Sequence, residues 1–187
     1  MAKKKGGTRA LQALIDARVQ YELIEYEHSA QLDGGYALDT SRVLGIDPHR
    51  IFKTLVASVD GKPVVAVVPA SGKLSLKALA KAMGAKSAQM MEPARAEKLT
   101  GYVTGGISPL GQLRQLPTLL DSSCQQLETI VVSGGKRTLS VVVRPEDLAR
   151  LTRARFASIG ARCRLDRFTS FRRRTFPMAC RGEHPSR

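Results

Sequence analysis

"IFKTLVASVDGKPVVAVVPA", residues 51–70, places two β-prone runs on either side of Asp60-Gly61. An Asp-Gly pair between such runs predicts a tight hairpin, because the favoured two-residue loop needs positive φ at its centre. An antiparallel pair therefore anchors the reading of the chain. Within the first run, alternation sets Lys53 on the face of Ile51, Leu55, Ala57 and Val59. Lysine is rarely fully buried without a partner. Two readings of Lys53 follow. Its stem packs at a sheet edge while its head reaches water, or it stands at a pocket rim as a base or an anion anchor.

Outward from the hairpin, helices and strands interleave. Thr8 caps a helix through Leu11, Leu14 and Ile15 to about Arg18, "YELIEYEH" (21–28) reads as a strand, and "ALDTSRVLG" (37–45) reads as a short helix closed by Gly45. Ser75 caps "LKALAKAMG", and Pro93 opens "ARAEKLTG". "LPTLLD", "ETIVVS" and "TLSVVV" read as strands, the last two joined through "GGKR", and Pro145 opens a final helix with Glu146 and Asp147 in its first turn. Several strand joints are tight, whereas parallel strands need long crossovers. The expected fold is α+β, a single domain with a mixed, largely antiparallel, barrel-like sheet and flanking helices.

The chain has 187 residues and a formal net charge of +14. Ten of those charges fall in residues 1–20 and 161–187, so the body is only mildly basic. A basic chain suits a polyanion such as RNA, through counterion release, and equally a solvated surface with basic ends. The expected organisation is a basic segment at 1–7, a folded domain at 8–160 and a basic, disordered tail at 161–187 that carries eight arginines and no lysine. No apolar run approaches the roughly 20 residues of a membrane-spanning helix. The start lacks the uninterrupted apolar core of a secretory signal, so a cytoplasmic protein without membrane contact is expected. Cys124, Cys163 and Cys180 form no C-x-x-C pair, and His28, His49 and His184 show no metal-ligand spacing. No metal is expected, and each histidine reads as a surface or capping residue.

"GYVTGGISPLGQ", residues 101–112, carries four glycines, one proline and no charge. Gly106-x-x-x-x-Gly111 matches the start of a phosphate loop, but Gln112-Leu113 stand where that motif needs Lys and Ser/Thr. The loop is then a plain turn or a clamp of peptide groups able to hold a small ligand's polar ends. Ser133-Gly134-Gly135-Lys136 matches S-x-x-K in letters. Gly-Gly between two strands makes a tight hairpin with Ser133 at its lip, not the helix that returns a lysine to a serine nucleophile.

Together, "FKTLV" at 52–56, "LKALAKAMGAK" at 76–86, "TGYVTGGISPLGQ" at 100–112, "VSGGKR" at 132–137 and "YEH" at 26–28 resemble the YbaK/EbsC family. These are bacterial Cys-tRNA(Pro) deacylases, free-standing relatives of the editing insertion domain of prolyl-tRNA synthetase. The likeness runs in order from about Thr8 to Ile159. It implies hydrolysis of the ester joining cysteine to the 3′-terminal adenosine of tRNA(Pro), with the tRNA(Pro) acceptor end and prolyl-tRNA synthetase as partners and no cofactor. By resemblance, Lys53 is the family's functional lysine, with Thr54 its neighbour in the pocket. Gly105-x-x-x-Pro109 is its G-x-x-x-P loop, in which Gly105 touches the aminoacyl group and Gly106, Ile107, Ser108 and Pro109 complete the clamp. Tyr26 and Ser133 line the pocket, and Ser140 stands where many members carry an aspartate.

The mechanism implied by the resemblance is substrate-assisted: the bound cysteine's thiol attacks its own ester carbonyl. Lys53 then stays protonated and anchors the phosphate or ribose of the acceptor terminus. Two alternatives remain at this stage. One is a sibling editor that clears Ala-tRNA(Pro) or another mischarged tRNA with a positioned water. The other is a non-catalytic tRNA- or synthetase-binding module.

Overall fold

In a computed structural model, the structure describes residues 7–161 apart from 31 and 33. The N-terminal residues 1–6 and the basic stretch 162–187 lie outside the described residues, and with them the expected tail, Cys163, Cys180 and His184.

The hairpin forms as read. β2 (Phe52–Val59) pairs antiparallel with β3 (Lys62–Pro69) over their whole length, from Phe52↔Pro69 to Val59↔Lys62. The turn residues Asp60 and Gly61 have φ of 45° and 81°, the double positive φ of the favoured loop. The pair sits at the centre of a five-stranded sheet ordered β5-β2-β3-β6-β9. Its other members are β5 (Ala88–Met90), β6 (Thr118–Asp121) and β9 (Arg155–Ala157). β3 and β6 run parallel, as do β6 and β9. Both parallel joints are long crossovers through helices, as parallel pairing requires.

β1 (Glu22–Glu25), β8 (Leu139–Val143) and β7 (Ile130–Lys136) make a second, antiparallel sheet in that order. A third pairing joins β4 (Lys73–Leu74) to β10 (Gly160–Ala161). The expected barrel does not form. β5 and β9 remain edges of the large sheet, and outside the named strands a single parallel bridge, Ile51 to Val131, connects the large and the three-stranded sheets. Closure needs continuous pairing around a circle, and three-residue edge strands cannot supply it.

Five α-helices flank the sheets among the described residues: α1 (Arg9–Asp16), α2 (Tyr36–Leu44), α3 (Leu76–Ala82), α4 (Pro93–Thr100) and α5 (Pro145–Thr152). Their ends follow local chemistry. Thr8 and Ser75 accept backbone N–H bonds as N-caps, Pro93 and Pro145 open helices, and Gly45 and Gly101 end them at positive φ. One core packs Phe52, Val56, Val65 and Val67 of the hairpin against Val132, Val141, Leu14, Leu110 and Leu148. The other packs Ala57, Val59, Val64, Ala66 and Val68 against Leu79 and Ile159. The hairpin is thus buried on both faces, which fixes its register firmly.

Gly134 and Gly135 are not the hairpin turn. The turn is Arg137-Thr138, and the two glycines form a bulge on β7 between Ser133↔Ser140 and Lys136↔Leu139. The bulge lets β7 meet α1: Thr8 Oγ1 donates to Gly134 O, and a Cβ at Gly135 would lie 2.7 Å from the Tyr102 ring.

Candidate active site

The site begins with an uncovered strand edge. β5 pairs only with Ala57–Val59 of β2, and just beyond it Met91 N donates to Val56 O at 3.0 Å. The edge from Phe52 to Leu55 borders a cavity of about 280 Å³. Its other walls come from the start of α2, the glycine-rich loop, the Met90–Ala96 segment, Tyr26 just past β1, Val132 and Ser133 of β7 and Ser140 of β8. Because the cavity wraps a strand edge, it is reached by successive residues of β2, which point to opposite faces.

Lys53 and Thr54 both line it. Lys53 Nζ donates to Gly72 O at 2.7 Å and lies 3.5 Å from Ala70 O, so its head is held by the carbonyls of the β3–β4 turn. Burial, with nearby Lys73 adding to it, pushes the Lys53 ammonium below its ordinary value. Thr54 Oγ1 is buried and has no hydrogen-bond partner among the described residues. A hydroxyl in that position can still donate and accept.

The glycine-rich loop enters from the opposite side. Gly105 has φ of +87°, and a Cβ there would fall 2.5 Å from Tyr36 Cδ2, so the Tyr36 ring lies directly on its backbone. Arg137 Nε donates to Thr104 O at 2.9 Å, and Ser133 Oγ donates to Gly106 O at 3.0 Å. The Arg137 guanidinium stacks 4.9 Å over the Tyr36 ring. The two glycine-bearing motifs therefore hold each other in place across 27 residues of sequence.

Not every loop residue named from the sequence reaches the cavity. Thr104, Gly105 and Ile107 line it; Gly106, Ser108 and Pro109 do not. Gly106 is buried against the Lys136–Arg137 backbone, where a Cβ would meet atoms at 3.0 Å. Ser108 is fully buried, its Oγ accepting from Leu110 N at 3.2 Å and its carbonyl from Gln112 Nε2 at 2.9 Å. Pro109 turns toward a second cavity, of about 210 Å³, beside α1 and α5. These three residues shape the loop from behind. Ser133 also lines the cavity, with its hydroxyl donated to Gly106 O, while Lys136 is exposed. That arrangement is not the one the letters S-x-x-K suggest.

Tyr26 and Ser140 meet on the far wall. Tyr26 Oη lies 3.0 Å from Thr40 Oγ1 and 3.1 Å from Ser140 Oγ, and Thr40 Oγ1 donates to Tyr36 O at 2.8 Å. Beside them, His28 is not a surface residue: its side chain is only 11% exposed. Its Nδ1 is 2.6 Å from Asp39 Oδ2 and its Nε2 2.6 Å from Arg137 O. Sequence reasoning missed Tyr36, Asp39 and Thr40. Their signal was faint: polar side chains at helical spacing on the inward face of α2, where Asp39 and Thr40 are buried.

Asp39 gives this wall an acid dependence. The Ser29 hydroxyl and His28 hold its carboxyl below the ordinary carboxylate value of 3.8, against the opposing effect of burial. A depressed carboxyl contributes stability above its ordinary value and loses it as the pH falls through the lowered one. Acidification below 3.8 is therefore expected to weaken the wild type progressively. Asp39→Asn is expected to be less stable at neutral pH and to lack that part of the acid slope. Urea midpoints measured from pH 7 down to about pH 2 check both statements.

The fold and cavity define an α+β domain with a small, mostly apolar pocket that offers one lysine, several hydroxyls and the backbone of a glycine-rich loop. Residues 36–151 match the aminoacyl-tRNA editing domain family, and the chain belongs to it. The chain is 43% identical over 163 residues to the Enterococcus faecalis protein named "Putative Cys-tRNA(Pro)/Cys-tRNA(Cys) deacylase EbsC", covering 85% of this chain and 98% of that one. It is also 30% identical over 93 residues to a proline–tRNA ligase of Citrifermentans bemidjiense, matching 50% of this chain and 16% of that longer protein. Among solved structures, one described as "a putative trans-editing enzyme for prolyl tRNA synthetase" superposes with a TM-score of 0.71 at 22% identity, over 82% of this chain and 95% of that one. This last likeness speaks for the fold alone. No helix of the described residues is long and apolar enough to cross a membrane.

Proposed function

We propose that the protein is a trans-editing hydrolase that removes cysteine from mischarged tRNA(Pro). It acts on the ester at the 3′-terminal adenosine of tRNA released by prolyl-tRNA synthetase. The reading is supported by the near full-length likeness to the Enterococcus faecalis EbsC protein. The structural observation that carries it is that Lys53 and Gly105, 52 residues apart, line one cavity sized for an amino acid and part of a nucleoside. Such a pocket has the expected character of a small-ligand site, apolar with a few placed polar groups.

In this proposal the substrate supplies the nucleophile. The cysteine sulfur bonds to the ester carbonyl carbon, the bond from that carbon to O3′ breaks, and the thiol proton ends on the released 3′-hydroxyl. A thiolactone leaves and is opened later by water. The protein's part is positioning and electrostatics. Lys53 offers a cation to the phosphate or ribose of the terminal nucleotide. Gly105 lines the cavity beside the Tyr36 ring that packs on its backbone, and the aminoacyl group approaches the loop there. Pocket size discriminates by only about 1–3 kcal/mol per methylene. A thiol-dependent step adds a selectivity that size cannot supply.

The test is deacylation of Cys-tRNA(Pro) and Ala-tRNA(Pro) side by side by the purified protein. Cysteine is expected to be released faster. Faster release of alanine overturns this reading in favour of an editor with a positioned water, and release of neither leaves the chain a binding module.

A further inference from the structure

Cations on one side of the molecule form a line that starts at the cavity. From residue 61 to residue 91 the chain carries five lysines and no aspartate or glutamate. This stretch holds β4, α3 and β5. α3 covers one face of the large sheet, packing Leu79 against Ala57 and Val59. Lys53 belongs to that face by alternation, and its Nζ donates to Gly72 O, one residue before β4. Exposed Lys73 is the next residue.

From there α3 runs along the hairpin toward its turn. The helix starts beside β10, where Ser75 N donates to Ile159 O at 2.8 Å. The segment after it reaches the hairpin turn, where Asp60 accepts from Lys86 N at 3.0 Å and Ser87 N at 2.9 Å. Lys77 and Lys81 are exposed and four residues apart, so they share one side of the helix, about 6 Å apart along its axis. The order outward from the cavity is Lys53, Lys73, Lys77, Lys81 and Lys86. Arg155 adds a cation at the end of α3, its Nη2 lying 3.4 Å from Ala82 O.

This charge is not neutralised locally. Among the described residues, none of these cations takes part in an ion pair. The chain also leaves the fold here: Ala161 of β10 pairs with Lys73, and residues 162–187 carry eight arginines against two acidic residues. A small anion needs cations gathered around one point. A row of unpaired cations suits a polyanion, which releases counterions at each phosphate it brings to the row.

We propose that the β4–α3 face is the docking track for the RNA of the substrate, with Lys77, Lys81 and Lys86 contacting phosphates of the acceptor stem whose 3′ end lies in the cavity. The proposal rests on the editing reading above and adds to it the surface and the direction in which the RNA leaves the pocket.

The test measures binding of uncharged tRNA(Pro) to the full chain by fluorescence anisotropy across a range of salt concentrations. The combined variant Lys77→Gln, Lys81→Gln, Lys86→Gln is compared with Arg144→Gln, Arg150→Gln, Arg153→Gln. The second set removes the same charge from exposed positions at α5, which packs on the opposite face of the large sheet through Leu148. The lysine variant is expected to bind at least about tenfold more weakly at 0.1 M salt, and its slope of log K against log salt to fall by about 2. The arginine variant should stay close to wild type. On Cys-tRNA(Pro) the lysine variant should raise KM and keep kcat, and it should cleave the 3′-cysteinyl ester of AMP, which has no stem, at the wild-type rate.

Unchanged tRNA binding by the lysine variant overturns the proposal, because the RNA then runs elsewhere. Equal weakening by both variants also overturns it, since net charge alone then accounts for the effect. So does slower cleavage of the AMP ester, which marks damage to the pocket. Weaker binding to prolyl-tRNA synthetase with unchanged tRNA affinity overturns it in favour of a protein-docking face. The editing reading fails by a different observation, a wild type that binds tRNA(Pro) and does not deacylate Cys-tRNA(Pro).

Discussion

Lys53→Ala is expected to lower deacylation of Cys-tRNA(Pro) by at least about 100-fold, the usual effect of deleting one preorganised charged or donor group from an active site. The loss should fall on the site and not on the fold. Lys53 is half-buried, and its head donates to Gly72 O and approaches Ala70 O at the turn bordering the cavity. Those carbonyls can take water in its place. The surrounding β2–β3 ladder is built from backbone pairs that alanine preserves. Lys53→Arg should rescue only part of the activity, because a planar fork cannot occupy the place of a compact ammonium. Initial rates on Cys-tRNA(Pro), with thermal unfolding of the same samples, separate loss of chemistry from loss of structure. Full activity in Lys53→Ala would remove Lys53 from the mechanism.

The second large effect concerns stability. Gly111→Ala is expected to destabilise the domain by about 3 kcal/mol or more, lowering Tm by roughly 6–12 °C. A Cβ at Gly111 would lie 2.4 Å from the carbonyl carbon and oxygen of Arg9 and 2.8 Å from Ala10 N. These are backbone atoms of a helix, so no side chain can swing aside. The residue also holds φ of +59°, where any Cβ adds strain. The contact joins the end of the glycine-rich loop to α1, where Arg9 Nε donates to Gly111 O at 3.0 Å and Tyr102 Oη lies 3.2 Å from the same carbonyl. Differential scanning calorimetry reads the shift directly. Gly84→Ala, also at positive φ but with open space around its Cβ, is the control and should cost less.

The contrast between Gly105 and Gly111 explains what could be read from the sequence and what could not. The density of glycine announced a backbone-built loop. It did not reveal that Gly105 makes room for the Tyr36 ring while Gly111 makes room for a helix. That division is set by partners 69 and 102 residues away in the chain. The same holds for the strands. Asp60-Gly61 signals its hairpin locally, so β2 and β3 were legible. β4, β5, β9 and β10 are two or three residues long and exist only because a neighbour pairs with them. Parallel pairing of β6 with β3 left no local mark, and neither did the open edges that prevent a barrel. Gly134-Gly135 carried a turn signal, and the structure uses it as a bulge to dock α1. At the site, Lys53 stood out because a lysine interrupts an apolar strand face. Tyr36, Asp39 and Thr40 did not, because polar residues in a short helix are ordinary until the cavity beneath them is known.

In the proposed mechanism the substrate's own thiol carries out the chemistry in a pocket that only positions it. Cys-tRNA(Pro) and Ser-tRNA(Pro) differ by sulfur against oxygen at nearly the same size, so pocket volume cannot separate them strongly. Single-turnover deacylation of the two by the wild-type protein is the direct measurement. Cysteine is expected to be released at least about tenfold faster than serine, a gap of about 1.4 kcal/mol in the barrier. Equal rates would contradict it and place the nucleophile in water positioned by the protein.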